Sequence, residues 1–110
     1  MEFNDYQDLT QDTAIYAGKG TVYGLAYTGL GLGEAGEVQG KIKKILRDDD
    51  GVVSHEKALA IGAELGDLLW YVAATAQELG LSLDDIAQGN IAKLASRKER
   101  GVLGGSGDDR

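Results

Sequence analysis

No proline interrupts this 110-residue chain, and seventeen glycines punctuate it instead. Proline would remove a backbone donor and fix φ; without it, each apolar periodicity can run as a helix until glycine or a turn stops it. A first helix is expected from about Asn4 to Ala17, with Phe3, Tyr6, Leu9, Thr13 and Tyr16 at helical spacing and Gly18-Lys19-Gly20 as its stop. A second is expected over roughly Val22 to Asp48, its start blurred by Gly24, Gly29, Gly31 and Gly33. Glycines at that density weaken a helix but let another backbone or a ligand approach closely. Asp48-Asp49-Asp50-Gly51 reads as a turn, lacking the alternating acidic ligands and terminal glutamate of an EF-hand calcium loop. Ser54 is a good N-cap for a third helix running to about Leu79, with Gly80 closing it. Ser82-x-x-Asp85 has the form of a capping box for a fourth, ending near Arg100. No strand pattern competes. The expectation is an all-α four-helix bundle over residues 1–100 with two long central antiparallel helices, followed by a glycine-rich C-terminal tail, residues 101–110, that is flexible on its own.

A single domain this short buries a modest core, so completion by oligomerisation, as a homodimer or homotetramer, is expected. The absence of cysteine excludes disulfides, thiolate zinc sites and cysteine nucleophiles. No segment is expected to reach the apolar length of a membrane span, and the acidic start Met1-Glu2-Phe3-Asn4-Asp5 is unlike a signal peptide, so a soluble cytoplasmic protein is expected. A formal net charge of −7 has the wrong sign for holding nucleic acid by its phosphates. It does not exclude small phosphorylated ligands, provided metal ions invert the local field.

The acids that could hold such ions are paired. Glu34 and Glu37 lie three residues apart on the second helix, and Glu64 and Asp67 repeat that spacing on the third. Projected at 100° per residue, Glu34 and Glu37 sit on the shoulder of an apolar arc formed by Val38, Ile42, Ile45 and Leu46. Glu64 and Asp67 flank the arc of Ile61, Leu65, Leu68, Leu69, Val72 and Leu79. Antiparallel packing of the two arcs brings four carboxylates to the rim of one core, a repulsive arrangement without cations. Oxygen-only ligands suit magnesium or manganese. A ferritin-like di-iron site wants Glu-x-x-His pairs and zinc wants histidine or cysteine, whereas the one histidine, His55, stands alone at a helix start. The plainer alternative is a solvated acidic face. Against it, Trp70 and Ala74 make the third helix apolar on the far side as well, so Glu64 and Asp67 are hemmed by apolar neighbours.

The pattern Gly33-Glu34-Ala35-Gly36-Glu37 followed by Glu64-Leu65-Gly66-Asp67 resembles the signature of the MazG-like all-α nucleoside triphosphate pyrophosphohydrolases: E-x-x-E and E-x-x-D on adjacent helices across a variable gap. The likeness extends from the first helix to Asn90-x-x-Lys93-x-x-x-Arg97 and the tail. One departure is Gly33, where many members carry a further glutamate. The resemblance implies magnesium-dependent hydrolysis of an NTP or dNTP to the monophosphate and pyrophosphate. Glu34, Glu37, Glu64 and Asp67 would be the metal ligands, and Glu37 or Glu34 the acceptor of the water proton. Asn90 and Lys93, and with them Arg97, would contact the substrate.

Lys41 and Lys44 continue the Glu34/Glu37 stripe, either to contact phosphates or, for Lys41, to pair with Glu37 one turn away. Trp70 and Tyr71 could stack on a base. Because Trp70 lies off the main arc, it is expected to pack between subunits. Two other classes stay open: a non-catalytic helical nucleotide-binding or oligomerisation module, and a purely structural helical oligomer. The base is not specified by the sequence.

Overall fold

The computed structural model describes residues 1–110 and contains helices and no strands. Helix α1 spans Phe3–Thr10 and tightens into a 3-10 turn at Gln11–Thr13; α2 spans Val22–Gly31 and α3 Ala35–Asp48, with a 3-10 turn at Leu32–Glu34 between them. Helix α4 spans His55–Glu78 and α5 Leu83–Glu99. The four expected helical arms are present, the second of them interrupted by the 3-10 turn.

Local chemistry explains most boundaries. Ser54 accepts from the Lys57 amide at 3.2 Å and Ser82 from the Asp85 amide at 3.2 Å, so both expected caps form. Gly80 (φ 70°) ends α4, and Asp50 (φ 54°) and Gly51 (φ 77°) make the acidic turn. The first helix stops well short of Ala17. Thr10 and Thr13 donate their hydroxyls back to the carbonyls of Gln7 (2.6 Å) and Thr10 (3.1 Å), and the backbone leaves helical space at Ala14 (φ −82°, ψ 73°). The run expected over 22–48 stays right-handed but narrows to a 3-10 turn where Gly29, Gly31 and Gly33 fall on alternate residues.

Helix α4 is the shared spine, packed against α1, α2, α3 and α5. The α2–α3 arm runs antiparallel to it: Gly24 lies beside Glu78, Gly31 against Tyr71, Lys41 beside Glu64, and Lys44 and Ile45 opposite Lys57, Ala60 and Ile61. Two glycines permit this approach. A Cβ on Gly31 would stand 2.1 Å from the Tyr71 ring, and one on Gly24 would stand 2.9 Å from the Glu78 carboxylate and 2.6 Å from the Gly18 carbonyl. Thr28, between them, is fully buried.

This docking corrects the expected use of the α4 faces. Ala73 and Ala74 are fully buried, and Trp70, half-buried, makes its aromatic contacts within the chain. It meets Tyr16 edge-on at 6.4 Å and Tyr71 at 5.2 Å, and its indole N–H donates to Thr13 Oγ1 at 2.8 Å. The leucine arc is the more open side, with Leu65 50% and Leu79 53% exposed and Ile61, Leu68 and Val72 half-buried. Both faces are apolar; the glycines of α2 decide which is covered, because only a glycine-lined helix can seat the Tyr71 ring.

A second correction concerns length: α4 is, by composition alone, long and apolar enough to cross a membrane. Within the fold it is the helix on which all the others pack, and it carries Glu56, Lys57, Glu64, Asp67 and Glu78. The tail folds back on the end of α5. Arg97, buried at 5% exposure, donates to the Asp108 carbonyl at 2.8 Å, and the Arg110 guanidinium donates to the carbonyls of Val102, Leu103 and Gly107. A radius of gyration of 16.9 Å exceeds the roughly 13 Å of a compact chain this long.

Candidate metal centre

The 3-10 turn at Leu32–Glu34 ends at Glu34, the residue before α3, which lies beside the middle of α4. One carboxylate oxygen each from Glu34, Glu64 and Asp67 lies within 4.8 Å of the others. Glu34 and Glu64 are half-buried and Asp67 is exposed, so the cluster opens to solvent on one side. Neither Glu34 nor Asp67 takes part in an ion pair, and the only cation on the cluster is Lys41, with Nζ 3.7 Å from Glu64 Oε1. Lys41 therefore pairs across to α4 rather than with Glu37 on its own helix. Glu37 is exposed and lies outside the three-carboxylate cluster.

Two phenols border the acids. Burial raises the pKa of Tyr6, and the charge of Asp67 raises it further. Tyr71 is raised by its hydrogen bond with Tyr27 first, then by burial and by the charges of Tyr27, Glu34 and Asp67. Both phenols stay protonated at neutral pH. Tyr6 was not legible as a site residue, since its apolar spacing marked it only as a core position of α1. Tyr16, stacked on Tyr27 at 4.8 Å, donates to the Glu78 carboxylate, and burial followed by this bond raises its pKa. The four aromatics Tyr16, Tyr27, Trp70 and Tyr71 thus form one packed group on the C-terminal side of the acids.

The basic residues are dispersed. Lys44 is exposed and unpaired. Asn90 and Lys93 stand exposed on α5, which packs against α1 and α4, and neither is hydrogen-bonded or ion-paired. Arg97 is buried and its guanidinium donates to the Asp108 carbonyl of the tail.

Donor chemistry and geometry agree on a class of site: oxygen-only ligands from two antiparallel helices, three of them already converged, suited to a hard divalent cation. A family model described as the MazG nucleotide pyrophosphohydrolase domain matches residues 25–102, a span that contains all four acids. The chain belongs to that family. It is also 51% identical over 114 residues to the Gene 37 protein of Mycobacterium phage L5, covering 100% of both chains, and that name states no activity. No solved structure matches the chain.

Proposed function

We propose that this chain is a magnesium-dependent nucleotide pyrophosphohydrolase that converts an NTP or dNTP to the monophosphate and pyrophosphate, cleansing a soluble nucleotide pool. The observation that carries the proposal is the convergence of Glu34, Glu64 and Asp67 in a MazG-family domain. Three carboxylates facing one another, with a single lysine beside Glu64, are electrostatically unfavourable until a cation joins them. Glu34, Glu64 and Asp67 would hold magnesium, or manganese in its place, with Glu37 as a fourth ligand one turn along α3. When bound, the ions supply charge that neutralises the polyphosphate and lowers the pKa of the attacking water.

In the overall reaction the water oxygen bonds to the α-phosphorus. The bond from that phosphorus to the bridging oxygen breaks, and its electron pair leaves with pyrophosphate. The water proton passes to a carboxylate, for which Glu37 is the candidate because it is exposed and without a cationic partner; Glu34 is the other. Lys41 and Lys44 would meet phosphate oxygens as point charges. Asn90 and Lys93, exposed and without partners on α5, would contact the substrate, whereas Arg97 is bonded to the tail.

The open leucine face of α4 and the extended shape of one chain support a homodimer or homotetramer. The test of function is a panel of NTPs and dNTPs incubated with the protein and magnesium, with pyrophosphate and monophosphate measured together. Equal amounts of both products, abolished by EDTA, support the proposal. Nucleotide binding without turnover across the whole panel would leave a non-catalytic binding module.

A further inference from the structure

Along the α3–α4 interface, toward the N-terminus of α4 from the acids, lies a cleft of about 160 Å³ lined by Lys41, Lys44, Lys57, Ile45, Ala60 and Ile61. We propose that this three-lysine cleft is the subsite for the diphosphate end of the substrate, the part that leaves as pyrophosphate. The inference rests on the pyrophosphohydrolase proposal for the reaction, and adds to it a place, a direction and a residue, Lys57.

Three observations carry it. The first is charge: in a protein of net charge −7, three of the eleven cationic side chains line one cleft. Lys57 is ion-paired with Asp49, and Lys41 with Glu64 at 3.7 Å; Lys44 has no partner. Asp49 belongs to the turn between the helices and Glu64 to the metal cluster, so Lys44 is the one lysine of the cleft outside an ion pair, with only the longer-range charge of Asp48 acting on it.

The second is continuity. Lys41 lines the cleft and touches Glu64, whose carboxylate is within 4.8 Å of Glu34 and Asp67. Lys57 precedes Glu64 by two helical turns, roughly 10 Å along α4 at 1.5 Å per residue, a distance a polyphosphate can span from the acids.

The third is the contrast with the other direction. Beyond Asp67, α4 presents Trp70 and Tyr71 with Tyr16 and Tyr27, an uncharged aromatic group. A polyphosphate favours the lysine end and leaves the nucleoside on the Asp67 side. The cleft volume is several times the roughly 30 Å³ share of one water, so a hydrated phosphate group fits it. Residues 57, 61, 64 and 68 fall on one helical stripe of α4, which puts Lys57 on the same face as Glu64.

The experiment is calorimetric titration of inorganic pyrophosphate, and separately of a nucleoside monophosphate, into the full chain with magnesium present. Wild type is compared with Lys44→Gln, Lys57→Gln and Lys43→Gln, the last exposed and outside the cleft. Loss of one charge-assisted contact should weaken pyrophosphate about tenfold in Lys44→Gln and in Lys57→Gln. Monophosphate affinity should stay unchanged in both, and Lys43→Gln should match wild type. Lys57→Gln also removes the Asp49 ion pair, so Lys44→Gln, which breaks no ion pair, is the deciding variant if the former misfolds. Wild-type pyrophosphate affinity in Lys44→Gln, or equal weakening of monophosphate, overturns the assignment. The two proposals fail separately: turnover with unchanged pyrophosphate affinity in Lys44→Gln sinks the cleft alone. Selective pyrophosphate binding in a chain that hydrolyses no nucleotide sinks the reaction alone.

Discussion

Replacing Glu34 with glutamine should make the metal-free protein more stable, because the acid cluster is repulsive as it stands. Two unit charges 4.8 Å apart repel by about 0.9 kcal/mol in water and about 3.5 kcal/mol at an effective dielectric constant of about 20. Asp67 is exposed and Glu34 and Glu64 are half-buried, so the lower figure applies more nearly. Glu34→Gln removes two such pairs, and side-chain freedom lets the acids relax somewhat, leaving a gain of about 1–2 kcal/mol. For a domain of this size that is a rise in melting temperature of roughly 5–10 °C. Little offsets it, since Glu34 makes no side-chain cap bond at the start of α3. Glu64→Gln should gain less, because it leaves Lys41 without its partner. The assay is thermal unfolding in EDTA at low and high salt, with the gain shrinking at high salt. A lower melting temperature for Glu34→Gln in EDTA, or none of this salt dependence, would refute the reasoning.

Three other substitutions probe the framework. Gly31→Ala drives a methyl to within 2.1 Å of the Tyr71 ring, which Tyr27 and Trp70 hold in place, and should cost about 2 kcal/mol by urea unfolding despite better helix propensity. Adding Tyr71→Leu should recover part of that loss. The raised pKa of Tyr16 means the native state favours the neutral phenol, so its contribution is complete below about pH 10 and is lost as pH rises beyond that. Unfolding midpoints measured from pH 8 to 11 should fall less steeply in Tyr16→Phe than in wild type. Arg97→Ala should free residues 101–110 to limited proteolysis while leaving nucleotide affinity unchanged, as expected of a side chain given to the Asp108 carbonyl.

What was legible in the sequence was local. Ser54, Ser82 and Gly80 announce helix ends by backbone chemistry that acts within a few residues, and all three behave as expected. The pairing of Glu34 with Glu64 and Asp67 was legible because helical spacing and a short turn leave few other arrangements. The 3-10 turn at Leu32–Glu34 was not, since glycine is compatible with either helix type and leaves no periodic signal. The same holds for Trp70: an apolar helix with two apolar faces does not say which is covered, and Gly24 and Gly31 on another helix settled it. The fold-back of the tail depends on Arg97 and Arg110 reaching carbonyls about ten residues away in sequence, beyond any periodic signal.

The central claim is that Glu34, Glu64 and Asp67 form one divalent cation site, and titration with manganese followed by electron paramagnetic resonance reads it directly. Wild type should take up manganese competitively with magnesium, and Glu34→Gln and Asp67→Asn should each weaken uptake by tenfold or more, in keeping with roughly 1.4 kcal/mol or more per lost ligand. Uptake that is absent from wild type, or undiminished in both variants, would contradict the account.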